Sequence, residues 1–458
     1  MEEKDEKLLA GSLGRFWDNV KLGEFATERG GGYINKLSDG NVQLEYFLDP
    51  EDASGEAYTL PQCVYGATVN GRVLLVDFLR SNRTLRSHGL PSVRTQTAGT
   101  AIFGALPEHV NLDALRSVTA FFPGITEWSG MQTITQEART DESSRGKSVA
   151  LHVESAPRQE HTLPYGRQLA LSSHWRLEGN VDNRSVFAPV SLTCSAKKNS
   201  AFRDLLRPLI QVQDILNIAH GGFVPARGGR VNFATDENPE THPRFWSTRI
   251  MQASTGVPAR EPMTRIPLFE LDDIGGISGL ARWVKFCETV PRVHRALTLR
   301  YRVGAAGVEA RFLEVAAAIE YWVASQDRGG VKWSQEKRRP LALAKLVGKA
   351  FSDWVGDAED WDDIFAGTYN AVKHDPAFVP DPYAISYLAE SGWILLLSAI
   401  LNRISANKVP GRIVIGNHRY SSLGGEIRDL LVDPNAQVKR REKPRRKRKR
   451  GRSQGSSV

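Results

Sequence analysis

The residues best placed to do chemistry are Tyr369-Asn370-Ala371-Val372-Lys373-His374-Asp375. Asn370 and His374 are four apart, so a helix sets them on one face. Tyr369 and Lys373 are also four apart, on the adjacent face. An imidazole that titrates near neutrality takes a proton from a ribose 2′-OH or returns one to a leaving oxygen. A neighbouring cation or amide stabilises charge building on a phosphate. Such a set suits cleavage of RNA without a metal. The same spacing also suits an ordinary helix end, with His374 answering the helix dipole and Asn370 packing locally. Asn-x3-His is by itself a weak signal.

A second chemical feature is the C-terminal run. Lys439, Arg440, Arg441, Lys443, Arg445, Arg446, Lys447, Arg448, Lys449, Arg450 and Arg452 face one acid, Glu442, so this segment carries +10. The whole chain of 458 residues carries +8, which leaves the rest at −2. Eleven cations neutralise several phosphates and release counterions, giving sequence-independent binding with steep salt dependence. No aromatic residue is interleaved, so base stacking is not expected there. The run is read as nucleic-acid-binding, with a solubilising or lipid-touching tail as the bland alternative.

Other chemistries lack support. Cys63, Cys194 and Cys287 are far apart, which argues against a disulfide scaffold and a structural zinc site. The acids Asp357, Glu359, Asp360, Asp362 and Asp363 match no calcium loop and read as a helix start. Gly30-Gly31-Gly32 and Arg227-Gly228-Gly229 lack the Walker pattern, and Gly146-Lys147-Ser148 has Asp141 where the first glycine belongs. Neither GxSxG nor HExxH occurs. No metal and no cofactor is expected. The acidic start shows no secretory signal. The longest apolar stretch, Trp393 to Leu401, is far short of the ~20 residues of a membrane span. A cytoplasmic protein with no membrane partner is the expectation.

These side chains must be positioned by two kinds of element. The first third reads as β. Tyr33–Leu37 and Val42–Tyr46 flank an Asp39-Gly40 turn, and Val64–Val69 and Arg72–Phe78 flank Asn70-Gly71, where positive φ at both positions predicts a type I′ turn. Further strands are expected at 100–103, 117–122, 148–153, 168–177 and 186–194. From about 200 the period turns helical, with Pro208 starting or kinking that helix. Residues 221–266 return to loop and short strand, and 279–297 reads as one helix. The clearest pattern is a four-helix bundle over 305–405, including an apolar face at Phe312, Val315, Ala316, Ile319 and Trp322 and a helix at 341–355. The expected fold class is α+β multidomain. It has a β-rich sandwich or barrel-like region at 10–300, divisible at 155/156, and a helical bundle at 305–405. A small appendage follows at 406–436, then a disordered basic tail at 437–458.

Segment 308–404 resembles a HEPN domain through the helix RFLEVAAAIEYW, the YNAVKHD segment where the family shows Arg-Asn-x3-His, and a closing apolar helix. The N-terminal part resembles the N-terminal domain of the ApeA family of anti-phage proteins. The stretches GGGYINKLSDGNVQLEYF, CVYGATVNGRVLLVDF, GTAIFGAL and SVTAFFPGITEW carry that likeness.

The resemblance implies a bacterial defence protein whose HEPN domain is a metal-independent endoribonuclease, paired two-fold as a homodimer or higher homo-oligomer. Its substrate would be tRNA or another cellular RNA, and the N-terminal region would sense a phage-derived trigger or hold the nuclease inactive. His374 would be general acid/base, Asn370 would position the phosphate or the imidazole, and Glu320 would orient a His or Arg. Tyr369 stands where the family has Arg, and a phenol does not replace a bidentate guanidinium. The cation then comes from Lys373 or from Arg328, Arg338 or Arg339. Otherwise the domain is an inactive RNA- or nucleotide-binding module, or the protein is an interaction scaffold.

Overall fold

The computed structural model describes the chain except residues 1–2, 19–27, 49–59, 85–91, 141–145, 181–182, 236–241, 254–265, 305, 327–335, 434–435 and 442–458. The chain forms two compact units, one of residues 1–305 with 401–413 and one of 306–400 with 414–458.

The first unit begins with helix α1 (Glu3–Leu9), then strands β1 (Ser12–Asp18), β2 (Glu28–Lys36), β3 (Val42–Leu48), β4 (Cys63–Thr68), β5 (Gly71–Thr84) and β6 (Ser92–Phe103). Their order is β6-β3-β2-β1-β4-β5, all antiparallel, and β5 pairs back to β6. Six strands therefore close into a barrel, which leaves them no free edge. Inward residues Phe16, Ile34, Val42, Leu44, Tyr46, Val64, Val73, Leu75, Ala98 and Phe103 fill it, with Leu8 and Leu9 of α1 in the same cluster. Gly32 on β2 and Gly66 on β4 flank Phe16. A Cβ at either would lie within 3.0 Å of its ring, so the two glycines make room for a large side chain. Asp5 of α1 holds Arg244 by two hydrogen bonds of 2.8 Å.

The long strand β6 then changes partner. Its first part pairs with β3, and Thr100–Phe103 pair with β16 (Arg244–Ser247). From there a sheet runs outward through β15 (Gly228–Phe233), β7 (Leu115–Phe121), β14 (Val190–Ser200), β11 (Arg167–Ser173) and β10 (Gln159–Thr162). Two hairpins, β8 (Ile134–Thr140) with β9 (Gly146–Val153) and β12 (Arg176–Gly179) with β13 (Arg184–Phe187), stand apart from it. Short helices α2 (Ile125–Ser129) and α4 (Thr248–Met251) fill connections. Helix α3 (Phe202–His220) packs on β14 and β7, followed by α5 (Gly276–Thr289) and α6 (Pro291–Val303).

Three expectations change in detail. The second hairpin turns at Val69-Asn70, because Thr68 pairs with Gly71. Asn70 is not at positive φ, so the turn is not type I′. Its side chain instead donates to Ser12 Oγ at 2.7 Å, a tether supplied by the tertiary structure. The helix expected at 279–297 is two, split at Pro291, which has no N–H to continue α5. Pro208 lies inside α3, which runs on through it.

The second unit holds α7 (Val308–Ala324), α8 (Arg339–Val347), α9 (Lys349–Val355), α10 (Ala358–His374), α11 (Pro382–Ser405, through residue 400) and α13 (Ser421–Val432), while α12 (Val409–Ile415) bridges the boundary in sequence. Gly348, at φ +96°, separates α8 from α9 where one helix was expected. The core is aromatic. Trp361 is fully buried, stacks on Phe365 at 4.7 Å, meets Phe351 edge-on at 5.1 Å and donates to Ser391 Oγ at 3.0 Å. Burying each such ring is worth roughly 2–3 kcal/mol. Helix α11 has the length and apolarity to cross a membrane, beyond the short run read at Trp393–Leu401, yet 78% of its most apolar window is buried within the protein. It passes that test as a core helix does.

Candidate functional site

Helix α10 carries the candidate residues. Asp357 caps its N-terminus, its carboxylate accepting from Glu359 N at 2.7 Å and Asp360 N at 2.9 Å. That is the helix-start role expected of the acidic run. Asp362 is fully buried and takes Arg338 Nε at 2.7 Å and Leu341 N at 3.2 Å, while Asp363 takes Arg338 Nη2 at 2.9 Å. Arg338 is thus committed to the first half of α10 and supplies no cation at its far end. Arg328 lies outside the described residues.

At the C-terminal end, Tyr369 is 8% exposed. Burial pushes its phenol above the usual range, the Glu320 charge adds to this, and Lys373 opposes it. Lys373 Nζ lies 5.5 Å from the Tyr369 ring centre. Glu320, on α7, is half-buried. The fold therefore brings together Glu320, Tyr369 and Lys373 from two helices. Asn370 and His374 are exposed, one turn apart on the neighbouring face. The arrangement sets an imidazole and an amide in solvent beside a lysine, with the phenol withdrawn into the core.

The chain returns to this helix. Lys439 N donates to Thr368 Oγ1 at 3.1 Å, Arg441 N to the Asp363 carbonyl at 2.9 Å, and Arg441 Nη1 lies 3.5 Å from the Asp362 carboxylate. Lys439 Nζ sits 5.5 Å over Phe378 and Arg440 lies 3.8 Å from Asp360. A Cβ at Gly367 would fall 2.3 Å from the Lys439 carbonyl oxygen, so only glycine admits this strap. Residues 437–441, placed by composition in a disordered tail, are held along α10, because the acids that start the helix and the gap at Gly367 give them partners. Lys443, Arg445, Arg446, Lys447, Arg448, Lys449, Arg450 and Arg452 lie outside the described residues.

Two buried polar clusters in the first unit had no local sequence signal. Asp77, at φ +60° on β5, takes Arg203 Nε at 2.6 Å and lies 3.4 Å from Arg249 Nε. Asp214 of α3 takes His294 at 2.9 Å and Arg302 at 2.6 Å. Their partners lie roughly 80 or more residues away, beyond any motif scan.

A closed six-stranded barrel continued into an open sheet, with a separate helical unit bearing an exposed His/Asn pair, defines a two-part α+β protein. Residues 12–283 match the family model ApeA N-terminal domain 1, more than half of the chain, and the chain belongs to that family. It is therefore an ApeA-like protein, and this domain points to anti-phage defence. No curated protein and no solved structure matches it.

Proposed function

We propose that this is a bacterial anti-phage defence protein whose helical unit is a HEPN ribonuclease that cleaves RNA on infection. The ApeA-family domain senses the phage-derived trigger or holds the nuclease in check. The observation that carries the reading is the exposed Asn370/His374 pair beside Lys373, with Glu320 and Tyr369 behind it. His374 takes the proton of a ribose 2′-OH. The oxygen attacks the adjacent phosphate, and the 5′-oxygen leaves with a proton from the His374 of a second copy, giving a cyclic phosphate. Lys373 stabilises the phosphate charge in place of the family's arginine. The dimer supplies two histidines to one cleft, and tRNA or another cellular RNA is the substrate.

The burial of Tyr369 at the arginine position favours one rival, an RNA-binding module that does not cut. Labelled RNA incubated with the purified full chain in EDTA separates them. Cleavage that disappears in His374→Ala and Lys373→Ala supports the enzyme. Binding without cleavage establishes the module, and neither binding nor cleavage leaves a protein-interaction scaffold.

A further inference from the structure

We propose that Arg203 and Arg249, set side by side by the buried Asp77, form a binding site for a phosphate group, carried by a nucleotide or by a nucleic-acid strand. All three residues lie within 12–283, the ApeA-family domain, and in the first unit.

Asp77 holds the site together. It is 5% exposed and sits within β5 at φ +60°, just before the register of β5 on β6 shifts between Phe78 and Arg80. A residue with a side chain keeps that left-handed conformation inside a strand only where its surroundings fix it, and such positions cluster at ligand sites. The Asp77 carboxylate accepts from Arg203 Nε of α3 at 2.6 Å and from Thr100 Oγ1 of β6 at 3.3 Å, and it lies 3.4 Å from Arg249 Nε of α4. The backbone of α4 is fixed as well. The Arg249 carbonyl accepts from Arg302 Nη1 at 2.8 Å, and Thr248 Oγ1 donates to the Gly99 carbonyl at 3.2 Å.

The way the two guanidinium groups are held points to the ligand. Each meets Asp77 through Nε alone, and their Nη groups have no hydrogen bond among the described residues. The two side chains are 65% and 44% exposed, whereas the carboxylate between them is 3% exposed. Where this chain uses an arginine as a tie, it commits two prongs, as Arg244 gives Nε and Nη2 to Asp5. Arg203 and Arg249 instead turn their Nη forks to solvent, with two positive charges against one negative. A carboxylate ligand is planar and is satisfied by one fork. A phosphate carries its oxygens in a tetrahedron and takes two forks at once, each in charge-assisted hydrogen bonds. Arg207, exposed one turn along α3 from Arg203, is placed for the next phosphate of a strand.

The test is arginine footprinting of the full chain with phenylglyoxal, read peptide by peptide by mass spectrometry, so that the basic C-terminal run does not enter the signal. Inorganic phosphate is expected to protect Arg203 and Arg249, and acetate at equal ionic strength to protect neither. A site of about 1 mM affinity slows their modification roughly tenfold at about 10 mM phosphate. Arg176, paired with Glu178 on an exposed hairpin, is the internal reference and stays unprotected. Asp77→Asn fits the left-handed φ, which asparagine enters readily. A diffuse positive patch would bind phosphate more tightly in that variant, because a negative charge is gone. An oriented pair of forks binds it about tenfold more weakly, as the loss of a charge-assisted hydrogen bond requires. Arg203→Lys, at an exposed position, keeps the charge and the fold but loses the fork, and it lowers phosphate protection of Arg249. Protection no better than in acetate, equal protection of Arg176, or undiminished protection in either variant overturns the site. In the His374→Ala background, protection by a short oligouridylate without a terminal phosphate assigns the group to a nucleic-acid strand. Protection by uridine 5′-monophosphate alone assigns it to a nucleotide. Every readout is at Arg203 and Arg249, so this proposal and the ribonuclease reading fail separately.

Discussion

Arg167 and Pro208 are coupled through one carbonyl. Pro208 cannot donate to the oxygen of Asp204, and Arg167 Nη1 fills that place at 3.2 Å. A proline inside a helix frees an acceptor, and a guanidinium from a strand takes it, fastening β11 to α3. Arg167→Ala loses three hydrogen bonds and leaves Glu288, 17% exposed, without its partner. The expected cost is about 2–4 kcal/mol. In Pro208→Ala the helix supplies its own N–H to Asp204, so the double variant is less destabilised than the sum of the two single ones. Denaturant melts of all four proteins give the coupling energy, and strict additivity refutes it.

Gly367→Ala removes the room for residues 439–441. Alanine favours the helix itself by about 1 kcal/mol, so α10 is not weakened. The strap is expelled instead, and trypsin cuts at Lys439–Arg441 faster than in the parent while the helical unit stays intact. Unchanged cleavage kinetics at those bonds contradicts the packing.

Asp214 is buried, and burial alone would raise its carboxyl, but the charge of Arg302 and the His294 hydrogen bond outweigh this and hold it below the usual range. A depressed native value means its stabilisation is fully present above the unfolded value of about 4. It is lost as the pH falls through the native value. Asp214→Asn is destabilised by about 3 kcal/mol at neutral pH, because Arg302 loses its charged partner. Its stability curve is flatter than the parent's in the acid range. A parallel pair of pH–stability curves counts against this account.

The three cysteines are free and buried. Burial pushes the Cys194 thiol up to about 12 and Cys287 well above its ordinary value. The thiolate is the reactive form, so both stay inert at pH 8 in the native protein. A thiol reagent should modify them only at the rate of unfolding, and all three promptly in denaturant. Rapid labelling of Cys194 or Cys287 in the native protein contradicts this account.

Local pattern determined much of this protein. Alternation at Val42, Leu44 and Tyr46 placed one face of β3 in the barrel, and an Asp-Gly pair turned the chain before it, with Gly40 at φ +80°. The apolar face from Phe312 to Trp322 made α7, and the acids around Asp360 started α10. These signals are legible because they depend on neighbours within a turn or a strand.

Other features depended on partners far away in the chain. Residues 221–266 read as loop and short strand without showing which; Gly228-Gly229 begins β15, because a glycine at 229 leaves room for Phe245 on the next strand. Closure of the barrel through β5 and β6, the switch of β6 to β16, and the docking of residues 437–441 on α10 are equally invisible locally. The site divides in the same way. Spacing put Asn370 and His374 on one helical face. Only tertiary packing decided that Tyr369 is buried near Glu320 and that Arg338 is consumed by Asp362 and Asp363. Helical period is a property of adjacent residues, whereas burial and charge pairing are set by whatever the rest of the chain brings alongside.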